Sequence, residues 1–265
     1  MRASLIQIAV NEDETVEARR LRAAALVREQ AGADLVVLPE LWTTGAFAFE
    51  EFDSAAEPLR GPTHEAMAKA ASDAGVWLHA GSIPERGPDG RLYNTSLVFS
   101  PAGDLTASYR KIHRFGFDKG EAVLMGAGRE PVTVPLADTT ILGVATCYDL
   151  RFPELFRALV DAGAEILVVP AGWPERRRPH WTLLAQARAV ENQVFVLACG
   201  TAGTHAGVPQ AGHSIVVDPW GEVLAEAGPD EEVLTVEFDP AKVARTREQF
   251  PALKDRVLGL EPPRG

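Results

Sequence analysis

The sequence predicts an α/β protein in which helices pack on mixed β-sheets. Short runs of β-branched and aliphatic residues alternate with longer stretches rich in Ala, Leu and Arg, an alternation typical of α/β folds. The turn PAGD at residues 101–104 lies between two strand-like runs, which predicts a hairpin and therefore antiparallel pairs beside parallel ones. No internal repeat or low-complexity linker divides the chain, so we expect a single domain over residues 1–265.

The first half of the chain predicts two helices, over residues 14–31 and 63–74. The first begins with acidic residues, and each is followed by a glycine, Gly32 or Gly75, as helix ends often are. The run LVVL at residues 35–38 is continuously apolar, as expected for a strand that is buried on both faces. The strands predicted in this half cover residues 5–10, 35–38, 76–80, 94–100 and 105–110.

The second half continues the pattern and closes it with strands. Pro153 favours the first turn of a helix that runs to about Ala162, because its missing N–H has no partner at that position anyway. A second helix is predicted over residues 181–192, and the tail from about residue 251 is expected to be extended or mobile. The strands predicted here cover residues 140–146, 165–169, 194–199, 213–217, 222–227 and 232–238.

Composition argues against several classes of function. The 265 residues carry a formal net charge of -11, which is unsuited to a nucleic-acid or anionic membrane surface. Neither a signal peptide nor a long apolar run is recognisable, and two cysteines do not make a disulfide framework, so the expected location is the cytoplasm. The six histidines lack ligand-like spacing, and no HExxH, paired CxxC, GxGxxG or Walker loop is present; we therefore expect no metal and no cofactor.

Three segments place a reactive side chain just past a predicted strand. Glu40 follows LVVL and Pro39, Lys111 follows the strand ending at Arg110, and Cys147 lies between a strand and a helix. Ligand sites of α/β sheets favour such strand ends. Each residue alone has a structural alternative: a salt-bridged carboxylate, a solvated lysine or a buried inert thiol.

Together the three residues form a complete set for nucleophilic catalysis. The carboxylate of Glu40 takes a proton, the sulfur of Cys147 attacks, and the ammonium of Lys111 stabilises a developing oxyanion. A helix start after the strand exposes a nucleophile and offers backbone N–H groups around it. The sequence therefore predicts a thiol hydrolase without a catalytic histidine.

The motifs around these residues resemble those of the nitrilase superfamily, the carbon–nitrogen hydrolases. LPELWTTG is similar to the family's Glu motif, YRKIHRF to its Lys motif and ATCYDLRFPE to its Cys motif, while RAVENQVFV and GHSIVVDPWGEVLAE resemble later landmarks. The matches follow the family's order from about residue 5 to residue 250, which makes the resemblance specific.

The resemblance implies a four-layer αββα sandwich of two mixed β-sheets and a homodimer that pairs through helices. It gives Glu40 the role of base, Lys111 the oxyanion and positioning role, and Cys147 the role of nucleophile, with the backbone N–H of Tyr148 as an oxyanion donor. Glu121 aligns loosely with a second glutamate of the family that orients the lysine; a solvated loop acid is the alternative.

Other residues near these motifs are candidates for the substrate pocket. Trp42 and Trp173 follow strand ends, although large aromatic residues are more often part of the core. Arg151 either pairs with a nearby carboxylate, the interpretation we favour, or binds a substrate carboxylate. The run Arg176–Arg178 is either a solvated loop or a further source of positive charge, and Cys199 is expected to be a core thiol.

The substrate class follows from the resemblance alone. CYDLRFPE together with GWP and HW is most similar to the ω-amidases and the deaminated-glutathione amidases, so the expected reaction is hydrolysis of the amide of a small carboxylic acid, with release of ammonia. N-carbamoyl amino acids and aliphatic nitriles are alternative substrates. Two alternatives from other classes are a redox protein that uses Cys147 with Cys199 and a scaffold that only binds.

Overall fold

The structure, a computed structural model, describes residues 1–136 and 140–258. Its helices are α1 (Val16–Arg28), α2 (Phe52–Ala55), α3 (Pro62–Ala74), α4 (Glu121–Leu124), α5 (Pro153–Asp161), α6 (Arg178–Asn192) and α7 (Lys242–Gln249). Its strands are β1 (Arg2–Gln7), β2 (Leu35–Val37), β3 (Trp77–Arg86), β4 (Leu92–Phe99), β5 (Leu105–Arg110), β6 (Val132–Pro135), β7 (Ile141–Val144), β8 (Ile166–Ala171), β9 (Phe195–Gly200), β10 (Thr204–His205), β11 (Val208–Pro209), β12 (Ile215–Val217), β13 (Val223–Glu226) and β14 (Glu232–Glu237).

Two mixed six-stranded sheets form the centre of the molecule. The first has the order β14–β1–β2–β3–β4–β5 and the second the order β13–β12–β9–β8–β7–β6. Neighbouring strands are parallel at the centre of each sheet, from β1 to β3 and from β7 to β9, and antiparallel towards the edges. The mixed sheets predicted from the sequence are confirmed.

Alternating side chains of the first sheet supply two separate cores. Leu5 and Val37 belong to the core between the sheets, whereas Ile6 and Val36 belong to the core beneath helices α1 and α3. Successive side chains of a strand point to opposite faces, so strands buried on both sides need apolar residues at every position. This requirement explains why LVVL has no polar alternation.

Helices cover the outer face of each sheet. Helix α1 begins at the N-cap Thr15, whose hydroxyl accepts the N–H of Ala18, and α3 ends at Gly75 in the left-handed region. On the second sheet, α5 and α6 bury one apolar face each, with Leu155, Phe156, Trp181 and Ala185 among the buried residues. The layers are therefore α, β, β and α, as the family resemblance implied.

Most predicted elements lie within a few residues of the observed ones, and the differences have local causes. Strand β1 covers Arg2–Gln7 rather than residues 5–10, and β3 continues to Arg86. Helix α7 and strand β6 were not predicted. The sequence of α7, KVARTREQ, buries only Val243 and Thr246, so it lacks the repeated apolar positions that predict a helix. Part of the expected tail forms a 3-10 turn at Ala252–Asp255, and residues 259–265 lie outside the described residues.

No helix in the described part of the chain is long and apolar enough to cross a membrane.

Candidate active site

The three residues predicted at strand ends lie together where the two sheets meet. Glu40 follows β2 and Lys111 follows β5, both in the first sheet, whereas Cys147 follows β7 in the second. Each is nearly inaccessible, with exposed fractions of 1%, 1% and 8% respectively. The site therefore depends on the packing of one sheet against the other.

A buried ion-pair network surrounds Lys111. Its Nζ donates to Oε1 of Glu40 and to Oε2 of Glu121, each at 2.6 Å. The side-chain amide of Asn94 donates to Oε1 of Glu40 at 2.8 Å and to Oε1 of Glu121 at 2.6 Å. Asn94 thus holds both carboxylates that accept from Lys111, and these two carboxylates fix the position of the ammonium.

The second oxygen of Glu40 is held by the backbone after β8. Its Oε2 accepts the N–H of Gly172 at 2.9 Å, and a Cβ at residue 172 would lie 2.3 Å from the Cβ of Ala46. Only glycine fits there without displacing the backbone. Gly81 in β3 also leaves room for the chain next to Glu40, since a Cβ on it would lie 1.9 Å from the carbonyl oxygen of Pro39.

Cys147 begins a short 3-10 helix, Cys147–Arg151, in a strained conformation. Its φ of 48° lies in the left-handed region, which is uncommon for a non-glycine residue and recurs at functional sites. The Sγ atom lies 3.7 Å from the carbonyl oxygen of Gly172. Because the first N–H groups of a helix have no partner within it, the N–H of Tyr148, one residue after this sulfur, has no partner inside the 3-10 helix.

Asp149 fixes the turn that carries Cys147. Its carboxylate accepts the N–H of Thr146 at 2.8 Å, the hydroxyl of Tyr109 at 2.7 Å and the N–H of His113 at 3.0 Å. The hydroxyl of Thr146 in turn caps the N–H of Asp149, a reciprocal capping box. These bonds tie the segment before Cys147 to the segment after Lys111.

Burial and charge set the protonation states of the site. Burial raises the pKa of the Cys147 thiol well above its usual value, and the negative charge of Glu40 raises it further against the opposing effect of Lys111. Burial alone would lower the pKa of Lys111, but the charges of Glu121 and Glu40 outweigh it and raise that pKa well above the ordinary value. The resting site therefore has a neutral thiol, which needs a base, and a charged lysine.

Burial also raises the pKa of Glu121, and the charge of Lys111 opposes this effect. Besides Lys111 and Asn94, Glu121 accepts the backbone N–H of Phe115 at 3.1 Å. The predicted contact of Glu121 with Lys111 is thus present, and the solvated alternative is wrong, since Glu121 is 4% exposed.

The cavity over Cys147 is small, with a volume of about 20 Å³ open to water. Its lining includes Glu40 and Glu121 together with Phe47, Phe115, Tyr148, Arg151, Trp173 and Arg177. Trp173 is thereby placed in the cavity wall, as predicted. A wider cavity of about 610 Å³ adjoins it and shares the walls Phe47, Phe115, Pro174 and Arg177.

One pocket residue, Trp42, and the pairing favoured for Arg151 need correction, whereas Arg151 itself lines the cavity over Cys147. Trp42 is fully buried in the core under α1 and α3, and its Nε1 donates to the carbonyl oxygen of Ala80 at 2.9 Å. The reason is the φ of 44° at Leu41, which turns the chain sharply after Glu40. The pairing favoured for Arg151 is also wrong: among the described residues no carboxylate lies within 4.0 Å of it, and it contacts His180 and the ring of Trp173.

Sequence reasoning missed Asn94 and Gly172. Asn94 lies in β4, where its carbonyl oxygen accepts the N–H of Lys111 at 2.9 Å. The side-chain amide and the ammonium therefore belong to residues whose backbones are hydrogen-bonded to each other. The available signal was the polar run Asn94–Ser96 between the apolar residues of the strand LYNTSLVF. Cys199 is the core thiol that was expected, within hydrogen-bond distance of the carbonyl oxygens of Ile6 and Val37.

The described residues, 1–136 and 140–258, contain no cluster of three or more His, Cys, Asp or Glu side chains arranged to hold a metal ion.

The family model for carbon–nitrogen hydrolases matches residues 2–248. The 2-oxoglutaramate amidase of Paenarthrobacter nicotinovorans is 41% identical over 257 residues, which cover 95% of this chain and 87% of that protein. The omega-amidase of Mus musculus is 37% identical over 272 residues, which cover 98% and 96%.

Solved structures give the same assignment. The Nit3 protein of Saccharomyces cerevisiae, a nitrilase superfamily member, superposes with a TM-score of 0.87 at 33% identity and 96% coverage of each chain. XC1258 of Xanthomonas campestris, with an arsenic adduct in its active site, gives 0.90 at 32% identity and 99% coverage of each chain. The chain therefore belongs to the carbon–nitrogen hydrolase family of the nitrilase superfamily, whose members hydrolyse carbon–nitrogen bonds other than peptide bonds.

Proposed function

We propose that the protein is an amidase that hydrolyses the amide of a small carboxylic acid through a thioester on Cys147, with release of ammonia. The observation that carries the proposal is the buried contact of Lys111 with Glu40 beside the Cys147 thiol. A thiol with a raised pKa needs an adjacent base, and Glu40 is the carboxylate that most raises its pKa after burial itself.

The first half-reaction forms the thioester. Glu40 accepts the thiol proton as Sγ of Cys147 attacks the amide carbon, and the carbonyl oxygen becomes an oxyanion held by Nζ of Lys111 and the N–H of Tyr148. Glu40 then transfers its proton to the amide nitrogen, the carbon–nitrogen bond breaks and ammonia leaves. One carboxyl group thus serves as base and then as acid.

The second half-reaction releases the acid. Glu40 removes a proton from a water molecule, whose oxygen attacks the thioester carbon while Lys111 and Tyr148 again hold the oxyanion. The carbon–sulfur bond breaks, and the thiolate of Cys147 recovers the proton from Glu40. Glu121 and Asn94 act as positioning residues throughout, because the hydrogen bonds of Glu121 hold Lys111 and those of Asn94 hold both carboxylates.

The proposed substrate is an ω-amide that carries a carboxylate at its other end. Two curated relatives, 41% and 38% identical, are named 2-oxoglutaramate amidases. Arg151 and Arg177 line the cavity over Cys147, and guanidinium groups suit the planar geometry of a carboxylate. N-carbamoyl amino acids and aliphatic nitriles belong in the same substrate screen, and faster turnover of either would replace the ω-amide assignment.

We further propose a cytoplasmic homodimer. Both cysteines are free thiols, which suits a reducing compartment. Large apolar side chains are exposed on and beside helix α6, namely Leu183, Val190, Trp220 and Phe250, and clustered exposed apolar surface is typical of an interface. A molar mass near 57 kDa by light scattering, about twice the 28.5 kDa of the chain, would support the dimer; a mass near one chain would contradict it.

The catalytic assignment is tested with Cys147→Ala and its matched control Cys199→Ala. We expect Cys147→Ala to lose ammonia release from succinamate while keeping the wild-type circular dichroism spectrum, and Cys199→Ala to retain most of the activity. Intact mass of the wild-type protein during turnover should show an acyl adduct that Cys147→Ala lacks. Ammonia release by Cys147→Ala at the wild-type rate would refute the nucleophile.

Glu40→Gln tests the base. Glutamine keeps the shape of the side chain but cannot accept the thiol proton, so we expect a loss of about 10²–10⁴-fold in kcat, the usual range for general acid–base catalysis. Full activity of this variant would remove Glu40 from the mechanism and leave the thiol without its proposed base.

A further inference from the structure

The three consecutive arginines of the run Arg176–Arg178 reach three different environments. Arg178 forms an ion pair with Oε1 of Glu226 at 3.1 Å and lines neither cavity. Arg176 is exposed and lines only the wider cavity, whereas Arg177 is half-buried and lines both cavities. Of the three arginines, Arg177 is therefore the one whose guanidinium lies at the boundary that both cavities share.

Arg177 is held in place at both its backbone and its side chain. Its N–H donates to the carbonyl oxygen of Pro174 at 2.9 Å, and its own carbonyl oxygen accepts Nε1 of Trp173 at 2.9 Å. Its guanidinium carbon lies 4.9 Å from the centre of the Phe115 ring, in range of a cation–π contact. The charge is thus presented from a defined position at the cavity wall.

The charges around Arg177 are unfavourable for an unliganded cation. Among residues 1–136 and 140–258, no carboxylate oxygen lies within 4.0 Å of its guanidinium, and burial followed by the neighbouring charges of Arg176 and Arg151 lowers its pKa. It also precedes the first residue of helix α6, where the helix dipole disfavours a cation. A partly desolvated cation without a counter-charge is costly, so an anionic ligand is the partner that fits.

Arg151 is engaged differently. Its Nη2 lies 3.2 Å from Nδ1 of His180, and its guanidinium carbon lies 5.0 Å from the centre of the Trp173 ring. Arg151 lines the cavity over Cys147, the inner cavity, but not the wider one. It adds positive charge to the inner cavity, whereas Arg177 stands where a substrate enters.

We infer that Arg177 is the receptor for the carboxylate of the substrate and thereby determines the preference for ω-amides of dicarboxylic acids over neutral amides. The inference rests on the proposed amidase function and names the residue behind its substrate class. With the carboxylate on Arg177 and the amide carbon at Sγ of Cys147, a short chain lies across the inner cavity. The wider cavity is lined by three cationic side chains, Lys119, Arg176 and Arg177, and by two carboxylates, Asp118 and Glu175, so its charged lining is net positive towards an approaching anion.

The test compares succinamate with butyramide, in which a methyl group replaces the carboxylate. For Arg177→Gln we expect the ratio of kcat/KM for succinamate over butyramide to fall about 10- to 100-fold, mainly through KM, as expected for loss of a hydrogen bond to a charged group. Arg177→Lys should restore part of the ratio, since it keeps the charge but loses the planar fork. Arg178→Gln is the matched control and should leave the ratio within threefold of wild type.

A charge reversal makes the test independent of folding. Arg177→Glu should turn over the cationic amide 4-aminobutyramide in preference to succinamate, an inversion that no loss of stability produces. An unchanged ratio in Arg177→Gln, or equal losses on both amides, would overturn the assignment to Arg177 while the amidase function stood. Failure of the wild-type protein to release ammonia from either amide would instead overturn the proposed function, and this inference with it.

Discussion

Replacement of Glu121 by glutamine tests whether the lysine of the site depends on its second carboxylate. The Glu121 carboxylate accepts three hydrogen bonds, from Lys111, Asn94 and the backbone of Phe115. In Glu121→Gln, a single oxygen replaces two. If it stays on Lys111 and Phe115, the new NH₂ group faces the NH₂ group of Asn94, and both are donors.

Rotation of the Asn94 amide does not relieve this conflict. Its Nδ2 also donates to Oε1 of Glu40, so rotation would place the Asn94 oxygen against that carboxylate. One buried hydrogen bond is lost and two donors face each other, so we expect the free energy of unfolding to fall by about 2–4 kcal/mol. Urea denaturation at pH 7 measures this change.

Glu121→Gln should also shift the pH dependence of kcat in a defined direction. Glu121 is the neighbour that most raises the pKa of Lys111, so its loss lowers that pKa and moves the alkaline limb of the kcat profile to lower pH. We also expect kcat at pH 7 to fall about 10- to 100-fold, because the oxyanion donor loses its fixed position. Ammonia release across pH 6–12 measures both effects, because the alkaline limb of the wild type lies above the ordinary pKa of a lysine.

Glu130→Gln provides the control, because Glu130 is exposed and makes no contact with the site. It should match the wild type in stability, kcat and alkaline limb. A Glu121→Gln variant with the wild-type alkaline limb and the wild-type kcat would refute the positioning role of Glu121.

Three further changes test other parts of the structure. Burial lowers the pKa of His79 to about 4, so the unfolded state binds the proton first as the pH falls below about 6.5. We therefore expect His79 to reduce the free energy of unfolding by about 2 kcal/mol between pH 7 and pH 5. His79→Gln should remove that part of the pH dependence in urea denaturation. Glu85→Gln removes the charge from the two-bond contact with Arg110 at 2.6 and 2.9 Å and should lower the midpoint of thermal unfolding by several degrees. Asp73→Asn, in exposed ion pairs with Arg28 and Lys69, should barely move the midpoint; equal midpoints for the two variants would contradict the argument. Gly172→Ala should reduce kcat about tenfold or more, because the added Cβ displaces the N–H that holds the Glu40 carboxylate; wild-type kinetics would show that this bond is dispensable.

The positions of Glu40, Lys111 and Cys147 were predictable because strand ends are local features. A continuous apolar run ends at Pro39, and a strand-to-helix junction lies at Cys147. Which strands become neighbours is not local: β1 pairs with β14, and Arg2 lies opposite Glu237 across nearly the whole chain. The layer order therefore came from the family resemblance rather than from periodicity.

The errors at the site have a common physical cause. Trp42 was assigned to the pocket because it is near Glu40 in sequence, but the backbone turns at Leu41. Asn94 and Gly172 contribute through a single amide or N–H whose partner, Glu40, lies in the turn after a distant strand. Such contacts depend on a few tenths of an ångström in backbone position, which no pattern of residue types encodes.

The division of the site between two sheets makes its chemistry sensitive to a motion that leaves secondary structure intact. Glu40 and Lys111 are anchored in one sheet and Cys147 and Gly172 in the other. A few hydrogen bonds cross between the layers at the site, such as that from Gly172 to Glu40, and the packing around them is apolar and non-directional. A small sliding of one layer on the other would separate sulfur from base while every strand kept its ladder. Activity should consequently be lost at a lower temperature or denaturant concentration than secondary structure. The catalytic rate therefore reports how well the two layers are aligned with each other.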